Sequence, residues 1–151
     1  MALLTKGTWV VVMDQEHAIL YENDGTVDAP ALRELERMQA EPLAPYSDRP
    51  GRVYDNGKEQ RSAMEQPDVE RLAGERLAAR VVEHLRKVAG AHPLVIAAPP
   101  QLLGVVRAEL DRQGSTSGPN RLHVVCTVPK TLTGIAPAKL SPILTTALEA
   151  V

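Results

Sequence analysis

Apolar residues fall along this chain in two rhythms, one of strands and one of helices. Trp9–Met13 (Trp-Val-Val-Val-Met) is a short continuous apolar run rich in β-branched residues, which predicts a buried strand. Asp14-Gln15-Glu16 supplies a polar turn, and His17–Glu22 predicts a second strand, antiparallel to the first because the link is so short. Asn23-Asp24-Gly25 closes it. Over Ala31–Ala40 the pattern supports two readings. Leu32, Leu35 and Met38 recur every third residue, as on a helix, and a strand over Leu32–Gln39 competes with that reading. Pro42 and Pro45 end the element either way.

The strongest helical pattern runs from Asp68 to Ala89, with Pro67-Asp68 as its start and Asp68 as N-cap. Leu77, Val81, Leu85 and Val88 line one face, and Arg76, Arg80, Glu83 and Lys87 fall on a separate, polar face. Gly74 costs about 1 kcal/mol against Ala and should loosen the first turns, and Gly90 is a natural stop. Pro93–Ala98 predicts a central strand buried on both faces. A helix over Gln101–Arg112 follows Pro99-Pro100 and buries Leu103, Val106 and Leu110. Residues 113–120, with no large apolar side chain, predict a flexible surface loop. A strand over Leu122–Val128 and a helix over Pro137–Leu148, with Leu140, Ile143, Leu144 and Leu148 on one face, complete the chain. A meander followed by strand–helix alternation predicts an α/β fold, a mixed sheet with helices packed on it and right-handed parallel crossovers. That layout resembles a ribonuclease H-like three-layer domain. The length, with no internal repeat and no linker, predicts one domain over residues 1–151.

Composition narrows the function classes. The absence of Phe and the single Trp require an aliphatic core. Seventeen basic against nineteen acidic side chains leave a net charge of −2, which argues against a non-specific nucleic-acid coat. A local basic patch is still allowed. The lone Cys126 excludes an internal disulfide, fits a reducing compartment, and in its valine-rich setting reads as a buried structural thiol. The N-terminus lacks a signal-peptide pattern and no apolar run approaches the ~20 residues of a membrane helix. The expectation is a soluble cytoplasmic protein that does not insert into membranes.

The stretch of 47–62 stands apart, with no helical or strand period. It carries Pro50, Gly51 and Asn56-Gly57 as turn punctuation, and crowds together Asp48, Arg49, Arg52, Tyr54, Asp55, Lys58 and Arg61. Arg49, Arg52, Lys58 and Arg61 could neutralise phosphates, and Tyr46 and Tyr54 could stack on bases. Asp48, Asp55 and Glu59 reduce the net charge of the stretch to +1, so arginine–carboxylate pairs that order the loop explain it equally well. Elsewhere the chemistry is sparse. Asp14 ends the first strand, where ribonuclease H-like nucleases place a metal carboxylate, but Asp is also favoured at the start of a tight hairpin. His17, His84, His92 and His123 have no metal-ligand spacing, and no serine sits in a nucleophile elbow. Ala97-Ala98-Pro99-Pro100 lies where a strand feeds a helix, the usual ligand crevice of an open sheet, yet two prolines make it a poor phosphate cradle. No catalytic residue, metal site or cofactor is assigned.

Five blocks resemble the bacterial host-attachment protein family, in the family's order and across nearly the whole chain. They are Trp9–Asp14, Ser47-Asp-Arg-Pro-Gly-Arg-Val-Tyr-Asp55, Arg61-Ser-Ala-Met-Glu65, Ala97-Ala-Pro-Pro100 with Leu103-Gly104, and Pro129-Lys-Thr-Leu-Thr133. The Asp48–Val53 stretch is the most specific. That family is named for bacterial attachment to plant hosts, and its fold is similar to the middle domain of archaeal and eukaryotic release factors. The resemblance makes Leu32–Gln39 a strand. In release factors the loop before the long helix carries a Gly-Gly-Gln; the equivalent place here, Asn56–Met64, holds Gln60 without its paired glycines. Lys58 and Glu59 resist the backbone conformations that those glycines allow. The resemblance therefore implies a non-enzymatic binding domain that contacts RNA, the ribosome or the translation machinery through the 47–65 loop. Asp48, Arg49, Gly51, Arg52, Tyr54, Lys58 and Arg61 are the candidate binding residues. The alternatives are a metal-dependent phosphoester hydrolase using Asp14, and a protein–protein adaptor in attachment to a host.

Overall fold

The β-branched run of Trp9–Met13 forms β1, and its side chains alternate between two apolar cores. Trp9, Val11 and Met13 enter one, Val10 and Val12 the other, which is why the run carries no polar residue. A computed structural model describes residues 4–41, 56–90, 92–112 and 122–149, with residues 56–68 and Glu70 as helical backbone alone. Among these residues β1 is followed by β2 (His17–Asn23), β3 (Leu32–Gln39), α1 (Asn56–Val88), β4 (Pro93–Ala97), α2 (Pro100–Arg112), β5 (His123–Val128) and α3 (Pro137–Glu149). Residues 47–55 of the expected loop over 47–62, and the whole expected loop over 113–120, lie outside the described residues.

The five strands form one sheet in the order β3-β2-β1-β4-β5. β1 pairs antiparallel with β2, and β2 with β3, while β1–β4 and β4–β5 are parallel. Leu77, Ala78, Val81, Val82, Leu85 and Ala89 of α1 and Leu102, Leu103 and Val106 of α2 cover one face. Leu140, Leu144 and Leu148 of α3 cover the other, together with Leu4. The result is the expected three-layer ribonuclease H-like arrangement.

The period-three spacing of Leu32, Leu35 and Met38 belongs to a strand because β3 is bulged. Leu20 pairs with Glu36 and Tyr21 with Glu34, which leaves Leu35 as the extra residue. The bulge reverses the facing, so Met38 and Leu35 pack against the core beneath α1 and Leu32 against the core beneath α3. A second bulge, between Leu94 and Val95, does the same in β5. Val124 faces the first core, and Cys126, two residues on, faces the second. Cys126 is 8% exposed, and burial pushes its thiol above the ordinary value. Native protein should therefore react with a thiol reagent only slowly, and at the rate of a free thiol once denatured; rapid labelling before unfolding would contradict this packing.

Two features of α1 differ from the sequence expectation. The helix begins at Asn56, not Asp68, so Lys58 and Arg61 stand on helical backbone instead of in a loop. Lys, Glu, Gln, Arg, Ala and Met dominate 58–66 and all favour helix. Gly57 falls in the first turn, where N–H groups have no intrahelical partner anyway. Pro67 forfeits a single i→i−4 donor, and the helix continues through it. The second difference is Val88. It is 43% exposed, while Ala78, Val82 and Ala89 are fully buried beside Leu77, Val81 and Leu85. Ala89 donates to Leu85 O, and Gly90 at φ 55° then ends the helix as expected.

One buried polar side chain ties the amino-terminal segment to the sheet. The Asn23 amide donates to Leu4 O at 3.0 Å and Thr5 O at 3.1 Å, and accepts from Gly25 N at 3.0 Å and Ala31 N at 2.9 Å. Its four hydrogen-bonding positions are all used, which is how an amide that is 0% exposed is tolerated.

Candidate functional site

Three parallel strands, β1, β4 and β5, deliver their carboxyl ends to one edge of the sheet. There Met13 passes into Asp14-Gln15-Glu16, Ala97 into Ala98-Pro99-Pro100, and Val128 into residues 129–133. Three of the five blocks that carry the family resemblance thus converge. Pro100 opens α2 at a position where its missing N–H costs nothing, and Leu103 N donates to Pro99 O at 2.8 Å. Asp14, Gln15, Glu16, Pro99, Gln101, Leu102 and Thr131 line an open cleft of about 330 Å³ at this edge. The carboxyl ends of strands in open α/β sheets commonly present ligand crevices.

Asp14 does not sit in this cleft as a free carboxylate. Its Oδ1 accepts from Glu16 N and His17 N, both at 2.7 Å, the hydrogen-bonded turn that the sequence favoured. Its Oδ2 accepts from the Thr133 hydroxyl at 2.6 Å, linking the β1–β2 turn to the segment after β5. Burial by itself would raise the Asp14 carboxyl. The hydrogen bonds from Thr133, Glu16 and His17 outweigh it and hold the group below its ordinary value of 3.8. Among the described residues no group of three or more His, Cys, Asp or Glu could hold a metal ion.

The depressed Asp14 gives a signed pH dependence. A carboxylate with a folded pKa below its unfolded one adds stability above the unfolded value, and this is lost as pH falls through the folded value. Thr133→Val removes one of the bonds responsible. It should lower stability at pH 7 by about 1–2 kcal/mol, and the gap to wild type should narrow in thermal melts taken below pH 3.8. A gap that stays constant with pH would mean that Thr133 acts by packing alone.

The same edge is where the candidate binding stretch departs and returns. Ala40, just past β3, donates to Glu16 O at 2.8 Å, so the chain leaves the sheet beside the cleft. Asp48, Arg49, Gly51, Arg52 and Tyr54 then lie outside the described residues, and Lys58 and Arg61 stand in the first turns of α1. The helix ends beside the start of β4, with His92 N donating to Ala89 O, so it runs antiparallel to β4. Its amino-terminal half therefore points outward past the carboxyl edge. Gly74 passes the edge against Gln15. Before it, residues 56–73 rise about 27 Å at 1.5 Å per residue. Within that arm Arg71 and Leu72 are exposed. Arg80 fastens the helix to the end of β3 through Gln39 O at 3.0 Å, and His84 contacts Glu36. Neither the contact of Gly74 with Gln15 nor that of Thr133 with Asp14 had a signal in local sequence, because each joins distant segments.

A search of curated proteins returns no match. A family model, bacterial archaeo-eukaryotic release factor family 12, matches residues 7–144 and so takes in the whole sheet, the arm and the cleft. No helix among the described residues is long and apolar enough to cross a membrane. With a match over nearly its full length, the chain belongs to the bacterial archaeo-eukaryotic release factor family, in its family 12.

Proposed function

We propose that this chain is a non-enzymatic binding module that meets the ribosome or structured RNA with the 47–65 stretch. The observation that carries the reading is family membership over residues 7–144, joined to a helical arm that extends about 27 Å from the sheet edge where the stretch departs. Arg49, Arg52, Lys58 and Arg61 supply phosphate-neutralising charge and Tyr54 a face on which a base can stack, with Asp48 and Gly51 as the other candidate binding residues of the stretch. Gln60 without adjacent glycines argues for binding without peptidyl-tRNA hydrolysis. The hydrolase alternative has less support, since both oxygens of Asp14 are occupied by protein donors. The adaptor role in host attachment is the second reading, motivated by the Asp48–Val53 block.

Titration of wild type and Arg52→Ala against ribosomes and structured RNA at two salt concentrations tests it. Arg52→Ala should weaken binding about equally across RNA sequences and flatten the log–log salt slope by roughly one unit. Tyr54→Ala should cost about 1–3 kcal/mol with little change of slope. An absence of wild-type binding at low salt would end the RNA reading and favour the protein adaptor.

A further inference from the structure

Gly74 lies well inside a 33-residue helix, where glycine costs about 1 kcal/mol against alanine, and its backbone torsion is not one that demands glycine. What the position excludes is a side chain. A Cβ there would stand 3.0 Å from Cγ, 3.2 Å from Cβ and 3.2 Å from Cα of Gln15. Gln15 lies at the tip of the β1–β2 turn, which Asp14 holds through its bonds from Glu16 N, His17 N and Thr133. The helix backbone thus rests directly on a braced turn at the point where α1 leaves the sheet. On the carboxyl side of that point Leu77, Ala78, Val81, Val82 and Leu85 are packed in the core; on the amino side Arg71 and Leu72 are exposed.

We infer that Gly74 and Gln15 form a seat that fixes the direction in which residues 56–73 leave the body, making Gly74 a positioning residue for the binding surface. The use of the arm rests on the proposed function, while the seat itself can be tested without any ligand. The helix works as a lever. From Leu85, anchored in the core, to Gly74 is about 16 Å, and from Gly74 to residue 60 a further 21 Å or so. A displacement at the seat is therefore magnified about twofold at residue 60.

The test is a spin-label distance between Gln60→Cys on the arm and Lys139→Cys on α3, in a Cys126→Ala background. Gly74→Leu should lift the helix off the turn and shift the mean distance by about 4 Å, for a displacement of about 2 Å at the seat. Gln15→Gly in the same chain, which removes two of the three atoms in the way, should return at least half of that shift. An unchanged distance in folded Gly74→Leu, or a shift that Gln15→Gly leaves in place, would overturn the seat. Should Gly74→Leu fail to fold, the pair Gln15→Cys and Gly74→Cys in the Cys126→Ala background decides. The seat requires rapid intrachain disulfide formation under mild oxidation, and two persistently free thiols would refute it. Ribosome binding by wild type and by Gly74→Leu, both with Gln60 and Lys139 intact, reads the proposed function separately. A seat confirmed by distance in a protein that binds no ribosome would remove the functional reading and leave the seat standing.

Discussion

Asn23→Asp should be among the most damaging single-atom changes available in this fold, costing about 3 kcal/mol or more at pH 7. The oxygen that accepts from Gly25 N and Ala31 N is retained. The nitrogen that donates to Leu4 O and Thr5 O becomes a second oxygen, about 3 Å from two carbonyl oxygens it can only repel. The side chain is 0% exposed, so water cannot screen it. Both effects disfavour the charged form, and the folded-state pKa of the introduced carboxyl should rise above its unfolded value. Destabilisation should then be least at acid pH, where the group is protonated in both states. It should grow as pH rises from the unfolded pKa to the folded one. Asn23→Ala provides the contrast, with a loss that is large but independent of pH across the same range. Thermal melts of the three proteins between pH 4 and pH 8 measure this. Parallel pH profiles for the Asp and Ala variants would show that the Leu4 and Thr5 carbonyls move aside.

How far this fold could be read from sequence depended on whether local and tertiary forces agreed. β1 and β4 were legible because strands buried on both faces need uninterrupted apolar runs, and Trp9–Met13 and Pro93–Ala97 are such runs. β3 was not, because its bulge at Leu35 converts the period of a strand into the spacing of a helix, and only the family resemblance resolved it. The start of α1 is masked in the sequence because Pro67 and Gly57 look like punctuation, whereas the helix-forming residues around them carry the helix through. In local sequence Gly74 is only a weak point of the helix, whereas in the fold it makes a close approach to Gln15, which no local pattern encodes. The site was legible in part. The blocks at Asp14, Pro99-Pro100 and 129–133 were visible as motifs, but their meeting at one edge follows from the parallel pairing of β1, β4 and β5. The hydrogen bond from Thr133 to Asp14 joins residues 119 positions apart and has no precursor in the sequence.

The buried face of α1 makes the second large prediction, and it separates two valines that look alike in a helical pattern. Val82 is 0% exposed within the core shared by α1, α2 and the sheet, and Val88 is 43% exposed near the end of the helix. Val82→Asp would place a carboxylate among apolar neighbours, and should cost more than about 4 kcal/mol or abolish folding. Val88→Asp loses little burial. Its main penalty is a negative charge in the last turn, where the helix dipole favours cations and where Arg86 and Lys87 lie, so its cost should stay below about 1 kcal/mol. The spacing of Leu77, Val81, Leu85 and Val88 alone assigns Val88 to the core and leaves Val82 off that stripe, which predicts the reverse order. Thermal melts of the two variants decide between these faces. The buried face keeps Leu77, Val81 and Leu85 and widens on one side to take in Ala78, Val82 and Ala89, whereas Val88, the last residue of the helix, stays exposed. A Val88→Asp variant less stable than Val82→Asp would mean that the helix is rotated about its axis from the position described.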